Sequence, residues 1–310
     1  RHTRLQGDWS SDVCSSDLTM DKLTYSTDTT VAVPGARLSA ARGYLSATGS
    51  STAGYFGGGA PAYSTMDKVS YITDTTAAVP GANLSAARGY LAATGSSTAG
   101  YFGGGFSTGP SFYSTMDKVT YSTDTTAAVS NARLSAARSG LAATGSSSAG
   151  YFGGGVAPGT PTALLHSTMD KTTYASDTTA ASPGAALSVA RQGFAATSAR
   201  ANVLPQPTFQ NPAGWSTPNT GYFGGGWIQG PGPVSTMDKV NYSTDTTAAT
   251  PSALLSGLRG NVSATGSSTA GYFGGGYDVF GGGNLTTMDK VTYSTDTTAA
   301  VSGEIGRAHV

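Results

Sequence analysis

Small and apolar residues fall along this chain in short runs, each closed by Gly, Ser, Thr or Asp, a pattern that suits extended strands and tight turns better than helices. The stretch from Leu91 to Val129 holds four such runs. Leu91 to Gly95 predicts a first strand of small residues, turned back at Gly95-Ser96-Ser97. Gly100 to Gly104 predicts a second, in which Tyr101 and Phe102 have strong strand preference and a triple glycine ends the run. Met116 to Tyr121 predicts a third. Period-two alternation places Asp117, Val119 and Tyr121 on one face and Met116, Lys118 and Thr120 on the other, and the charges leave open which face is buried. Ser122-Thr123-Asp124-Thr125 reads as a turn, and Thr126 to Val129 as a fourth strand.

This unit recurs. Thr-Met-Asp-Lys returns with Met20, Met66, Met116, Met169, Met237 and Met288, at intervals of 46, 50, 53, 68 and 51 residues. Gly-Tyr-Phe-Gly-Gly-Gly returns with Tyr55, Tyr101, Tyr151, Tyr222 and Tyr272. Leu-Ser-x-x-Arg, in most copies, sets Arg42, Arg88, Arg138, Arg191 and Arg259 just before the small first strand. One unit holds too few large apolar side chains to offset its ordering entropy, so it predicts stacking on its neighbours.

Composition narrows the function classes. The chain carries 17 basic and 17 acidic side chains, and only 11% of its 310 residues are charged. Without a basic excess, nucleic acid is not an expected partner. No run of eighteen apolar residues is present, so no membrane insertion is expected.

The ends do not follow the repeat. Asp8 to Leu18 matches one reading frame of a common short-read sequencing adapter, and Ile305 to Val310 matches its other strand. Residues 1–18 and 304–310 are therefore read as non-native, and 19–303 as a single repeat domain. That removes the only cysteine, Cys14, together with His2 and His309, and leaves His166 as the sole histidine. Between Thr19 and Gly303 there is no glutamate.

Four antiparallel strands in about fifty residues match the blade of a β-propeller. The order small strand, Tyr-Phe-Gly-Gly, Met-Asp-Lys-Val-Thr-Tyr, Asp-Thr-Thr and then Arg resembles the kelch motif over nearly all of 19–303. It departs where kelch repeats carry a fourth-strand tryptophan, a place held here by Ala127, Ala128 and Val129. The expected fold is all-β: a kelch-like propeller with five and a half blades present, hence at least six in the intact protein, with the missing first and second strands just beyond Gly303. The near-identical copies look like kelch-type arrays of phage tail-fibre and environmental bacterial proteins. That resemblance implies an extracellular or virion location and host surface proteins or glycans as partners.

The candidate chemistry is sparse. The triple glycines lack the Lys-Ser or Lys-Thr and the helix of a phosphate loop, and read as positions of unusual dihedral and close backbone approach. Asp67-Lys68 and turn aspartates such as Asp74 and Asp124 occur once per unit and read as scaffold. Two readings stay open for Arg42, Arg88, Arg138, Arg191 and Arg259: blade-junction pairs with a turn Asp, or a ring of cations holding an anion. The cost of burying like charges without partners favours pairing. A galactose-oxidase-like copper site or a sialidase-like acid and nucleophile set fails on the inventory of His, Cys and Glu, so no enzyme, metal or cofactor is expected.

What varies is the segment after each triple glycine, which carries Tyr63, Phe106, Phe112, Tyr113, Trp227, Tyr277 and Phe280. These second-to-third loops are expected on one face, while an expanded loop from Ser198 to Thr220 with Trp215 points the other way. Variable aromatic loops on a rigid scaffold suit a recognition surface for a protein or glycan ligand, although neutral loop drift gives the same pattern. A propeller enzyme (hydrolase or oxidase, tested through Asp278 or His166) and a purely structural spacer are the alternatives.

Overall fold

The computed structural model describes residues 3–7, 18, 20–109, 111–159, 163–198, 219–230, 232–280 and 283–301. It is an all-β propeller with five four-stranded antiparallel blades. Blade 1 comprises Ser46–Gly49, Ala53–Gly57, Met66–Ser70 and Thr75–Ala78, paired in that order from the axis outward. Blade 2 comprises Ala92–Gly95, Ala99–Gly103, Met116–Thr120 and Thr125–Ala128. Blade 3 follows with Ala142–Gly145, Ala149–Gly153, Met169–Thr173 and Thr178–Ala181. Blade 4 has Ala195–Ser198, Thr220–Gly224, Met237–Asn241 and Thr246–Ala249, and blade 5 Ser263–Gly266, Ala270–Gly274, Met288–Thr292 and Thr297–Val301. A sixth sector holds a three-stranded sheet in which Met20–Thr24 lies between Thr29–Ala32 and Thr3–Gly7.

Residues 3–7, set aside above as non-native, run antiparallel to Met20–Thr24 with Leu5 opposite Lys22, the place Tyr55 takes opposite Lys68 in blade 1. The strands expected beyond Gly303 lie outside the described residues.

No single core fills the middle. Alternation along strands two and three gives each blade two apolar faces, and each is dry only against a neighbour. Tyr55 and Met66 of blade 1 pack with Leu84, Leu91, Phe102 and Val119 of the next unit. Tyr101 and Met116 meet Leu134, Leu141 and Phe152 in the same way. Tyr272 and Met288 of blade 5 meet Leu23 of the sixth sector, whose Met20 meets Leu45, Phe56 and Val69 of blade 1. The face left open by the sequence is thus settled: Met116, Asp117 and Val119 are all buried, because both sides of the blade are covered.

A polar clasp locks every seam. Lys68 Nζ lies 2.8 Å from both carboxylate oxygens of Asp124 in the next blade's turn, and the Tyr55 hydroxyl donates to the same carboxylate. Tyr55 also stacks on Tyr121 with ring centroids 4.9 Å apart, and the Tyr121 hydroxyl lies 2.9 Å from Thr48 Oγ1. The pairs Lys118–Asp177, Lys171–Asp245, Lys239–Asp296, Lys290–Asp28 and Lys22–Asp74 carry the pattern through all six sectors and back to the first. Asp124 sits at φ +53°, a left-handed turn position that Asp tolerates, and this aims its carboxylate across the seam.

The arginines form neither the pairs nor the ring considered above. Arg88 Nη2 lies 2.8 Å from Asp117 Oδ2, and both side chains have zero exposure. The same pair joins Arg42 to Asp67, Arg138 to Asp170, Arg191 to Asp238 and Arg259 to Asp289. The partner is therefore the strand-three Asp of the same blade, not the turn Asp. None of these five guanidiniums lines the channel to hold an anion; each is buried against its carboxylate, which offsets the lost hydration.

Two outcomes test these contacts. Burial alone raises the carboxyl of Asp124, but the Lys68 and Tyr55 hydrogen bonds and the Lys68 charge outweigh it and hold it below the ordinary value. Asp28, Asp177 and Asp245 behave alike. A depressed folded value contributes stability that is present above the unfolded Asp pKa of about 3.9 and lost as pH falls through the folded one. Urea unfolding should show constant stability from pH 7 to about 5 and a decline below about 4 that is shallower in Asp124→Asn, which also loses about 1 kcal/mol at pH 7. Arg138→Met should lose about 3–5 kcal/mol by leaving Asp170 buried alone, and Arg138→Met with Asp170→Leu should recover most of it in the same assay.

Candidate functional site on the loop face

The face is built by the triple glycines. Gly58 and Gly59 have φ of +72° and +125°, and a Cβ on Gly58 would lie 2.6 Å from the Arg88 carbonyl, so the chain turns there only without side chains. The Gly59 N–H then donates to that carbonyl at 3.0 Å, which ties the loop of one blade to the lead-in of the next. The following residue bridges back to its own blade's lead-in: Gly43 with Ala60, Gly89 with Phe106, Ser139 with Val156, Gln192 with Trp227, and Gly260 with Tyr277. All five second-to-third loops therefore rise from equivalent points on one end of the ring. Three form small hairpins, pairing Val156–Ala157 with Leu164–Leu165, Trp227–Ile228 with Gly232–Pro233, and Tyr277–Asp278 with Gly283–Asn284.

The expected site residues divide. Tyr63 and Tyr113 lie 6.0 and 5.5 Å over the Arg42 and Arg88 guanidiniums, a packing duty within the blade. Their carbonyls accept the Arg88 and Arg138 N–H groups, and the His166 carbonyl accepts that of Arg191 at 3.2 Å, so His166 holds the same scaffold position. Burial first, and then the Arg138 charge, push its imidazole below the ordinary value. Phe106 and Phe112 meet edge to face at 5.2 Å. Trp227 and Tyr277, from neighbouring blades, stack with centroids 6.4 Å apart, and Phe280 is 71% exposed beside them. Asp278 accepts the Phe280 N–H at 2.8 Å, an Asx turn that shapes this tip. Trp215 lies outside the described residues.

One group was not singled out by sequence. Two residues after each Arg, the chain enters the left-handed region: Tyr44 at φ +53°, Tyr90 at +56°, Gly140 at +64°, Gly193 at +59° and Asn261 at +56°. These five form a collar around the mouth of the channel. The N–H of Tyr90 donates to the Tyr44 carbonyl, Gly140 to Tyr90 and Gly193 to Gly140, each at 2.8 Å, and Asn261 to Gly193 at 2.5 Å. The Tyr44 and Tyr90 rings stack at 4.0 Å. Burial, then Tyr44, hold the Tyr90 hydroxyl above the ordinary phenol value, so it stays neutral. The signal in the sequence was Gly, Gly and Asn at one repeat position, the residues that take positive φ most readily.

Behind the collar the channel encloses about 250 Å³, lined by first-strand Ala, Ser, Thr and Gly with Leu45, Leu91, Leu141, Phe194 and Val262 and, among the described residues, by no charged side chain. Thr48, Thr144 and Thr197 are held by inter-blade tyrosine hydroxyls. Among the described residues, no three of His, Cys, Asp and Glu converge as a metal site would need. No helix among them is long and apolar enough to cross a membrane.

No family model matches the chain, and no curated protein is significantly similar to it, so its functional reading stands on the loop face and the collar.

Proposed function

We propose that the chain is a kelch-like recognition propeller without enzymatic activity, which binds a surface protein or glycan through its second-to-third loop face in an extracellular or virion setting. The observation that carries the reading is the contrast between a ring of repeated seams and one face of divergent aromatic loops. Five copies keep the Lys–Tyr–Asp clasp, while the loops between them present Phe106 with Phe112, Trp227 with Tyr277, and Phe280. A rigid scaffold with aromatic anchors on adjoining loops lowers the ordering cost of binding.

The reading without catalysis is supported by how the ionisable groups are engaged. The strand-three aspartates of the blades face buried arginines, and the turn aspartates face lysines. His166 occupies a backbone position that Tyr63 and Tyr113 fill in other copies. The kelch likeness rests on the Gly-Tyr-Phe-Gly-Gly run and the Arg before each first strand, residues that here carry the turn and the buried pair.

A chain carrying Phe106→Ser, Phe112→Ser, Trp227→Ala, Tyr277→Ala and Phe280→Ser should keep its melting temperature within about 4 °C, since the seams are untouched. It should lose binding to a printed array of surface proteins and glycans on which the unaltered chain gives signal. Equal binding by both chains would overturn the loop face as the binding surface, and no signal from the unaltered chain would favour the spacer reading.

A further inference from the structure

We infer that the channel mouth is a binding site for an uncharged sugar residue, gripped between the Tyr44–Tyr90 stack and the Gln192, Asn261 and Trp227 side of the collar. The inference rests on the recognition reading and names its ligand chemistry and place.

The first observation is the backbone. At the collar position Gly140, Gly193 and Asn261 take positive φ readily, whereas Tyr44 and Tyr90 are held at +53° and +56°, where a bulky residue is strained. Neither ring is placed there by a core: Tyr44 is half-buried and Tyr90 is 37% exposed. The left-handed backbone, tied by the Tyr90 N–H to the Tyr44 carbonyl, sets two stacked phenol rings on the rim of a cavity.

The second observation is what faces them. The Gln192 side chain lies beside Gly140, with Cβ and Oε1 each 3.4 Å from the place of a Gly140 Cβ. Asn261 Oδ1 and Trp227 Cδ1 lie 2.7 and 3.0 Å from the place of a Gly193 Cβ, and the Trp227 indole lies against Gly260. Both glycines leave room for these side chains to pack next to the collar. Tyr44, Tyr90 and Asn261 line the opening itself, Gln192 and Trp227 pack next to them against the collar glycines, and among the described residues no charged side chain lines it. Sugars match that set: their C–H faces stack on aromatic rings and their hydroxyls pair with amides, while the described lining offers an anionic or cationic ligand no charged partner. A cavity of about 250 Å³ suits a terminal residue, not a buried chain.

The test is calorimetric titration of the full chain with cellopentaose, maltopentaose, mannopentaose and β-1,4-galactotetraose, with sialyllactose as the charged comparison. At least one neutral sugar should bind at one site, and Tyr44→Gly with Tyr90→Gly should weaken it about tenfold or more. Glycine suits the left-handed backbone, so the melting temperature should stay within about 4 °C. If that variant fails to fold, Gln192→Ala with Asn261→Gly should give the same weakening. No binding of any neutral sugar, stronger binding of sialyllactose, or binding indifferent to both variants overturns the inference. Where that happens while array binding persists and is lost in the loop variant, the recognition reading stands without it. Where array binding is absent as well, both fall.

Discussion

The structure depends on one constraint: a blade is dry on both sides only between two others. Strand alternation sends Tyr, Met and Lys to one side and Phe, Val and Asp to the other, and no blade can cover either by itself. The seam is therefore the unit of stability, and its chemistry repeats because every seam solves the same problem. The polar clasp adds specificity to that burial, since Lys68, Tyr55 and Tyr121 meet Asp124 and Thr48 in only one relative placement of two sheets.

Burying five guanidiniums is the feature that most needs explanation. Each one ties the lead-in of a blade to its third strand, and Asp117 also accepts the Ser85 N–H at 3.1 Å, so the carboxylate organises the crossing as well as neutralising the charge. The lead-in in turn supplies the carbonyl that receives the previous blade's glycine loop. One buried pair thus fixes the end of the ring on which the variable loops stand, linking a scaffold contact to the geometry of the recognition face.

Much of this was legible in the sequence, because period and turn chemistry are local. The strands expected at Leu91–Gly95, Gly100–Gly104, Met116–Tyr121 and Thr126–Val129 appear within one residue at each end. The propeller followed from unit length and the glycine runs. The arginine partner was not legible: each unit repeats two aspartates at fixed spacing, and only the sheet shows that Asp117 turns inward while Lys118, next to it, reaches the following blade. The collar escaped for a related reason. Its backbone is uniform but its side chains run Tyr, Tyr, Gly, Gly, Asn, so identity hid a shared conformation.

The seam also has a direction. Each blade offers its Lys–Tyr–Met side forward and receives on its Phe–Val side, and all the joints are of this head-to-tail kind. Any unit can therefore follow any other without a mismatch. Duplication, loss or shuffling of units by recombination leaves the joints intact while it reorders the loops above them, so the same architecture that enforces sameness at the joints makes the displayed surface cheap to diversify.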